Sequence, residues 1–202
     1  MTLLYLIRHA RSTWNAQGRW QGQADPPLDE IGLKQAQALA KHLRGEPLLA
    51  VYTSPLHRAR QTAEAVAAEH GLPVQADDRL KERNVGQWSG LTEAQVREQF
   101  PDHFKPDWWL HGPPGGESQT DLNARTVAVF AEVVAAHPEG SVAVVSHGGT
   151  LNSYLLSTLN VPLGHHVSFR FANASFSRVY AHDGRVHLAS LCEVGHLTGL
   201  GG

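Results

Sequence analysis

The sequence predicts an open, mostly parallel α/β sheet with helices on both faces and antiparallel elements at its C-terminal edge. Three observations carry that expectation. Uninterrupted apolar runs at Leu3 to Ile7 and Val142 to Val145 are flanked by polar or turn residues, as strands buried on both faces are. Between them lie stretches of helical period. After them come segments that alternate like half-buried strands. At 202 residues, 42% of them hydrophobic, without an internal repeat or low-complexity linker, the chain reads as one domain spanning residues 1–202.

The first helical pattern has Asp29 as its N-cap and aligns Leu33, Ala36, Ala40 and Leu43. An apolar strand follows from Leu49 to Tyr52. Ser54 then reads as an N-cap with Pro55 at the first helical position, and Leu56, Ala59, Ala63 and Val66 form one face that ends near Gly71, with Pro73 beyond. Leu122, Val129 and Val133 predict a helix from about Asp121 to Ala136, stopped by Pro138. Another helix is expected over Leu151 to Leu159. Alternating segments follow at Ser168 to Ala172 with Ser175 to Ala181, and at Arg185 to Leu191, with Asp183-Gly184 as a turn. Gly199 to Gly202 is expected to fray.

Between Ser89 and Ser118 the pattern is less regular: a short helix near Glu93 to Phe100, then Pro101, Pro106, Pro113 and Pro114. Long irregular segments inside a compact domain are more often functional than accidental, so this one reads as a lid or active-site wall. It carries Trp108 and Trp109 and adjoins Trp88, read equally as packing and as substrate contacts.

Formal charge is -2, from 17 basic and 19 acidic residues without blocks of like charge, so no basic stripe marks a nucleic-acid partner. Cys192 is the single cysteine, which excludes an internal disulfide and fits a reducing compartment. MTLLYLIRHA is too short for a membrane span and lacks the basic flank of a signal peptide. The expectation is a cytoplasmic protein with no membrane partner; self-association into a homo-oligomer stays open. The 13 histidines show neither an HExxH pair nor a cysteine cluster, so no metal and no cofactor are expected. His165-His166 reads as a solvated loop pair.

Two histidines, in LIRHA and VVSHGGT, directly follow the two apolar strands and should project from the same crest of the sheet. The Ser54 to Arg58 element begins a helix beyond another strand end and directs an arginine and a helix N-terminus to the same region.

Four strings in order, Arg8-His9-Ala10-Arg11-Ser12 with Asn15, Ser54-Pro-Leu-His-Arg58-Ala-Arg-Gln-Thr62, Leu80-Lys-Glu82-Arg83 with Gly86, and Ser146-His147-Gly148-Gly149, resemble the histidine phosphatase superfamily, whose first branch includes the cofactor-dependent phosphoglycerate mutases. Gln21-Gly22 and the stretch from Pro27-Leu28 to Gln37 are also similar. Ala10 replaces a frequent glycine, and Arg11 stands where an acidic residue is common, making the rim more basic.

The resemblance implies a metal-independent phosphomonoesterase of small-molecule phosphate esters, with His9 as nucleophile and Glu82 as proton donor and later acceptor. Arg8, Arg58 and His147 would stabilise charge on the transferring phosphoryl oxygens. Asn15, Gln21 and the Gly22 and Gly148 N–H groups are candidate neutral donors, although Asn15 and Gln21 equally suit loop-backbone bonding. Glu117, in Gly115-Gly116-Glu117-Ser118, reads as part of an ordinary turn and cap. Two alternatives stand beside the phosphatase: a cofactor-dependent phosphoglycerate mutase, and a non-catalytic phospho-ligand binding module. The mutases resembled here carry a longer insertion after the Glu82 motif. In this chain Ser89 to Ser118 has only Arg97 and Lys105 as permanent cations, which suits an uncharged or partly apolar leaving group. Arg11, if it gripped a second anionic group, would favour the mutase.

Overall fold

The structure, a computed structural model, describes residues 1–162, 167–182 and 184–200. His165-His166, Asp183 and the last two glycines lie outside the described residues.

The strands are β1 (Thr2–Arg8), β2 (Leu48–Thr53), β3 (Val74–Ala76), β4 (Gly140–Ser146), β5 (Phe176–His182) and β6 (Arg185–Glu193). The helices are α1 (Thr13–Ala16), α2 (Glu30–Leu43), α3 (His57–His70), α4 (Glu93–Gln99), α5 (Trp108–His111), α6 (Gln119–Ala136) and α7 (Gly148–Thr158). One six-stranded sheet has the order β3-β2-β4-β1-β5-β6. β3, β2, β4 and β1 run parallel, while β5 and β6 add the antiparallel edge.

Strand alternation divides the core between two faces. Leu4, Leu6, Val142 and Val144 pack with Phe130 and Val133 of α6 and Leu151 and Leu155 of α7. Tyr5, Ile7, Ala143 and Val145 point the other way, against Leu39 and Leu43 of α2 and Ala63 and Val66 of α3. Each buried aliphatic side chain contributes about 1.5–3 kcal/mol. On the first face Phe130 stacks on Tyr154 at 3.9 Å between ring centroids, joining α6 to α7.

Helix ends follow local chemistry, and several differ from expectation. Asp29 caps α2 as predicted, accepting from Gly32 N–H at 2.7 Å. Leu33 does not join the buried face; it is 47% exposed. The buried row is instead Gly32, Ala36, Leu39, Ala40 and Leu43, because the Arg11 backbone crosses α2 so closely that a Cβ on Gly32 would lie 1.9 Å from the Arg11 carbonyl oxygen. Ser54 does not cap α3, which starts after Leu56 without a side-chain cap. Its hydroxyl lies 2.8 Å from Nε2 of His147 and accepts from Leu56 N–H at 3.3 Å, ahead of the helix. The C-terminus of α3 is as predicted, at a left-handed Gly71. Helix α6 begins earlier than expected, because Ser118 is its N-cap.

Ser168 to Ala172 forms no strand. Its backbone meets side chains: Phe169 N–H donates to Asn152 Oδ1, and the Phe171 carbonyl accepts from Arg8. The short edge strand β3 was absent from the predicted set; with three residues it has too little pattern to read.

Candidate active site

Parallel pairing of β1 with β4 sets the centre of the site. Arg8 is the register partner of Ser146, so the next residues, His9 and His147, leave neighbouring strand ends together. The sheet order turns back at this pair, the place where open α/β sheets bind ligands beyond their carboxyl ends. His9 N–H donates to the Ser146 carbonyl at 2.9 Å, and the two imidazole centroids lie 5.1 Å apart.

His9 is 2% exposed and its tautomer follows from its neighbours. Nδ1 lies 2.7 Å from the Ala10 carbonyl, which can only accept, so Nδ1 carries the proton and Nε2 the lone pair. Arg58 Nε donates to that Nε2 at 3.3 Å. Burial first, then Arg58 and Arg8, holds His9 well below the usual histidine range, so the ring is neutral at neutral pH. His147 is neutral for the same leading reason, with Arg58, His9 and Arg8 adding to it. Its Nδ1 is buried without a partner among the described residues.

Arg58, fully buried, is fixed by carbonyls: Nη1 donates to Ala24 at 2.7 Å and Nη2 to Gly22 at 2.8 Å. Burial pushes it down to about 10, against the pull of Glu82 and Asp25. Gly22 adopts a φ of +52°, and a Cβ there would lie 2.5 Å from Val85 Cγ2, so glycine is needed to bring this carbonyl to Arg58. Arg8 donates through Nη1 to the Phe171 carbonyl, and burial lowers it too. Neither guanidinium has a carboxylate ion pair among the described residues. The site therefore holds concentrated positive charge in a chain of net charge -2.

Glu82 follows a short 3₁₀ turn at Asp78–Leu80. Its Oε1 accepts from Arg83 N–H at 2.8 Å and its Oε2 from Gly149 N–H at 3.2 Å. Arg125 of α6 holds the segment by the carbonyls of Arg79, Lys81 and Glu82, at 2.7, 2.7 and 3.1 Å. Glu117 is no turn-and-cap residue: both its oxygens pair with Arg125, at 2.6 and 2.8 Å.

Arg8, His9, Asn15, Gln21, Gly22, Arg58 and Glu82 all border one cavity of about 460 Å³. His147 and Gly148 are not among the residues that border it. Asn15 Oδ1 accepts from Ser12 N–H in a capping box that starts α1, and Gln21 Oε1 accepts from Ser12 Oγ at 2.7 Å. Both thus bond locally while facing the cavity. Arg11 turns away: its Nε meets Asp29 at 2.8 Å, so the basic rim expected of it is absent. Among the tryptophans, Trp108 lines the cavity, Trp88 is buried behind it, and Trp109 does not line it.

Sequence reasoning missed Arg19, Trp20, Gln119 and Asn152 as cavity residues. Gln119 and Asn152 begin and face helices already placed beside the site, which was the available signal.

A family model for the histidine phosphatase superfamily (branch 1) matches residues 4–193. The chain belongs to that family. It is 37% identical to phosphoserine phosphatase 1 of Hydrogenobacter thermophilus over 202 residues, covering 98% of this chain and 95% of that one. It is also 37% identical to a metal-independent phosphoserine phosphatase of Arabidopsis thaliana, covering 100% of this chain and 85% of the relative. The solved structure of Bacillus stearothermophilus YhfR superposes with a TM-score of 0.91 at 33% identity, covering 98% of this chain and 100% of that one.

Proposed function

We propose that this chain is a metal-independent phosphomonoester hydrolase working through a phosphohistidine on His9, with the whole chain as one domain and residues 89–118 as the wall of its site. The observation that carries this reading is the His9 tautomer, with Nδ1–H held by the Ala10 carbonyl and the Nε2 lone pair beside Arg58 in the cavity. The phosphatase names of the relatives support it.

Arg8 and Arg58 grip the phosphoryl oxygens of the bound ester, and their charge matches what builds up on those oxygens during transfer. His9 Nε2 attacks phosphorus while the ester P–O bond breaks, and Glu82 gives its proton to the departing oxygen. Glu82 then takes a proton from water as that water attacks the phosphohistidine. The P–N bond breaks, inorganic phosphate leaves, and His9 and Glu82 return to their starting forms. His147, its ring centroid 5.1 Å from that of His9 and its Nδ1 without a partner among the described residues, joins Arg8 and Arg58 in stabilising the phosphoryl oxygens. Among the described residues no group of three or more His, Cys, Asp or Glu is arranged to hold a metal ion. No described helix is long and apolar enough to cross a membrane, and a single cysteine fits action in the cytoplasm.

The test is to mix EDTA-treated protein with a phosphorus-labelled ester, quench without acid, and map the label. An acid-labile, base-stable label on His9, lost together with turnover in His9→Ala, is expected. Label that survives in that variant, or activity that returns only with added metal, overturns the reading.

A further inference from the structure

Arg58 is fixed by two carbonyls, whereas the side chain of Arg8 has a single acceptor among the described residues, the Phe171 carbonyl. Arg8 Nε is buried without a partner. The direction of this guanidinium therefore depends on how one peptide group, from Phe171 C=O to Ala172 N–H, is turned. Core packing of the Phe171 ring fixes the Cα of that residue, but the tilt of the peptide that follows is set by the hydrogen bonds of the peptide itself. Because a peptide is planar, its C=O and N–H turn together. The N–H donates to Cys192 Sγ at 3.2 Å. Guanidinium, peptide and thiol thus form one hydrogen-bonded row, in which each bond polarises the next.

Cys192 reaches this position from a distorted strand. Phe176 pairs with Glu193 and Arg178 with Ser190, so Leu191 and Cys192 together oppose Ser177 in a β-bulge. Cys192 there adopts a φ of +54°, in the left-handed region that favours glycine, and its N–H donates to Ser177 Oγ at 2.9 Å. A side chain kept where glycine is less strained points to a use for that side chain, and the bond from Ala172 N–H is such a use. The bulge lies at the end of β5 that adjoins Arg8, whose own N–H donates to the Ser175 carbonyl at 3.0 Å. Cys192 also lines a second cavity, of about 650 Å³, which Arg8, Phe171 and Ala172 border with it.

We infer that Cys192 is a positioning residue for phosphate binding: by accepting from Ala172 N–H it holds the Phe171 carbonyl on Arg8, and covalent modification of the thiol loosens that hold. This rests on the reading of Arg8 as a ligand of the phosphoryl group. A group added to sulfur crowds the Ala172 N–H, the peptide turns, and Arg8 loses the acceptor that directs it.

The experiment measures the affinity for inorganic phosphate by calorimetry, with turnover of p-nitrophenyl phosphate alongside. Absence of both in the unaltered protein would defeat the phosphatase reading itself. With phosphate bound, Cys192→Gly, which relieves the left-handed backbone but removes the acceptor, should weaken phosphate affinity about 3- to 10-fold. Cys192→Ser keeps an acceptor and should lose less than about twofold. A merely structural cysteine would leave phosphate affinity unchanged in both. Affinity in Cys192→Gly within about twofold of the unaltered protein, or equal losses in the two variants, overturns the inference. If Cys192→Gly fails to fold, the unaltered protein decides. Methyl methanethiosulfonate transfers its CH3S group to a thiolate with release of methanesulfinate, and Cys192 is the single cysteine in the chain. Complete modification, followed by mass, should weaken phosphate affinity by at least about threefold, and dithiothreitol should restore it. Affinity unchanged by complete modification overturns the inference.

Discussion

Gly149 is pressed against Glu82: its N–H donates to Oε2 at 3.2 Å, and a Cβ on it would lie 2.5 Å from Oε1. Arg125 of α6 fixes the backbone of the same residue through the Glu82 carbonyl at 3.1 Å, and Arg83 N–H holds Oε1 at 2.8 Å, so the carboxyl group is held at the start of α7.

That confinement makes the proton donor testable through its neighbour as well as directly. Gly149→Ala should displace the carboxyl group and lower kcat for alkyl phosphates, which have poor leaving groups, by about 10- to 100-fold. Glu82→Gln should lower it further, by about 100-fold or more. Both variants should lose far less on p-nitrophenyl phosphate, whose leaving group needs little protonation. Equal losses on the two ester types would remove Glu82 from the role of proton donor.

Both active-site histidines are held neutral by burial, which fixes the sign of two pH effects. The nucleophile is deprotonated already, so kcat/KM should not fall as pH drops through about 6.5, the ordinary histidine value. Stability behaves differently. In the unfolded chain His9 and His147 take up protons below about 6.5, while in the folded chain they do not until well below it. Unfolding thus binds protons in that window, so their effect on stability is absent above it and grows as pH falls, by up to about 1.4 kcal/mol per histidine per pH unit. His196, also lowered chiefly by burial, adds in the same direction. Urea denaturation from pH 7.5 to 5 should give a falling stability whose slope shrinks in His147→Gln. An unchanged slope in that variant would show that the ring titrates alike in both states.

The parts legible in the sequence were those fixed by local pattern. Two apolar runs placed β1 and β4, and the residues after them placed His9 and His147 on one crest, because parallel strands end at the same edge of the sheet. Arg58 and Glu82 came from motif order. What stayed hidden depends on long-range partners. Ser54 has the composition of a cap but bonds the ring of His147, 93 positions away. Leu33 has helical spacing, yet the buried row is decided by the crossing backbone of Arg11. The outer cavity was the least readable part, since Trp20, Arg83 and Trp108 meet only after the chain has folded.

The last expectation concerns the fate of the phosphoryl group. A phosphoglycerate mutase must hold its phosphoenzyme away from water while a bisphosphorylated intermediate turns over in place, which requires cations for a second phosphoryl group as well as for a carboxylate. Arg11 was the residue that could have supplied them, and it is committed to Asp29 at 2.8 Å, where it braces the start of α2. Two further arginines line the cavity and are held by neutral acceptors, Arg19 by Gln17 and the Gly90 carbonyl, and Arg83 by the carbonyls of Glu117 and Trp109. Hydrolysis should therefore exceed isomerisation. On one preparation primed with 2,3-bisphosphoglycerate, phosphate release from 3-phosphoglycerate should outrun its conversion to 2-phosphoglycerate by at least about tenfold. Conversion faster than phosphate release from every ester tried would make the chain a mutase, with His9 still its nucleophile.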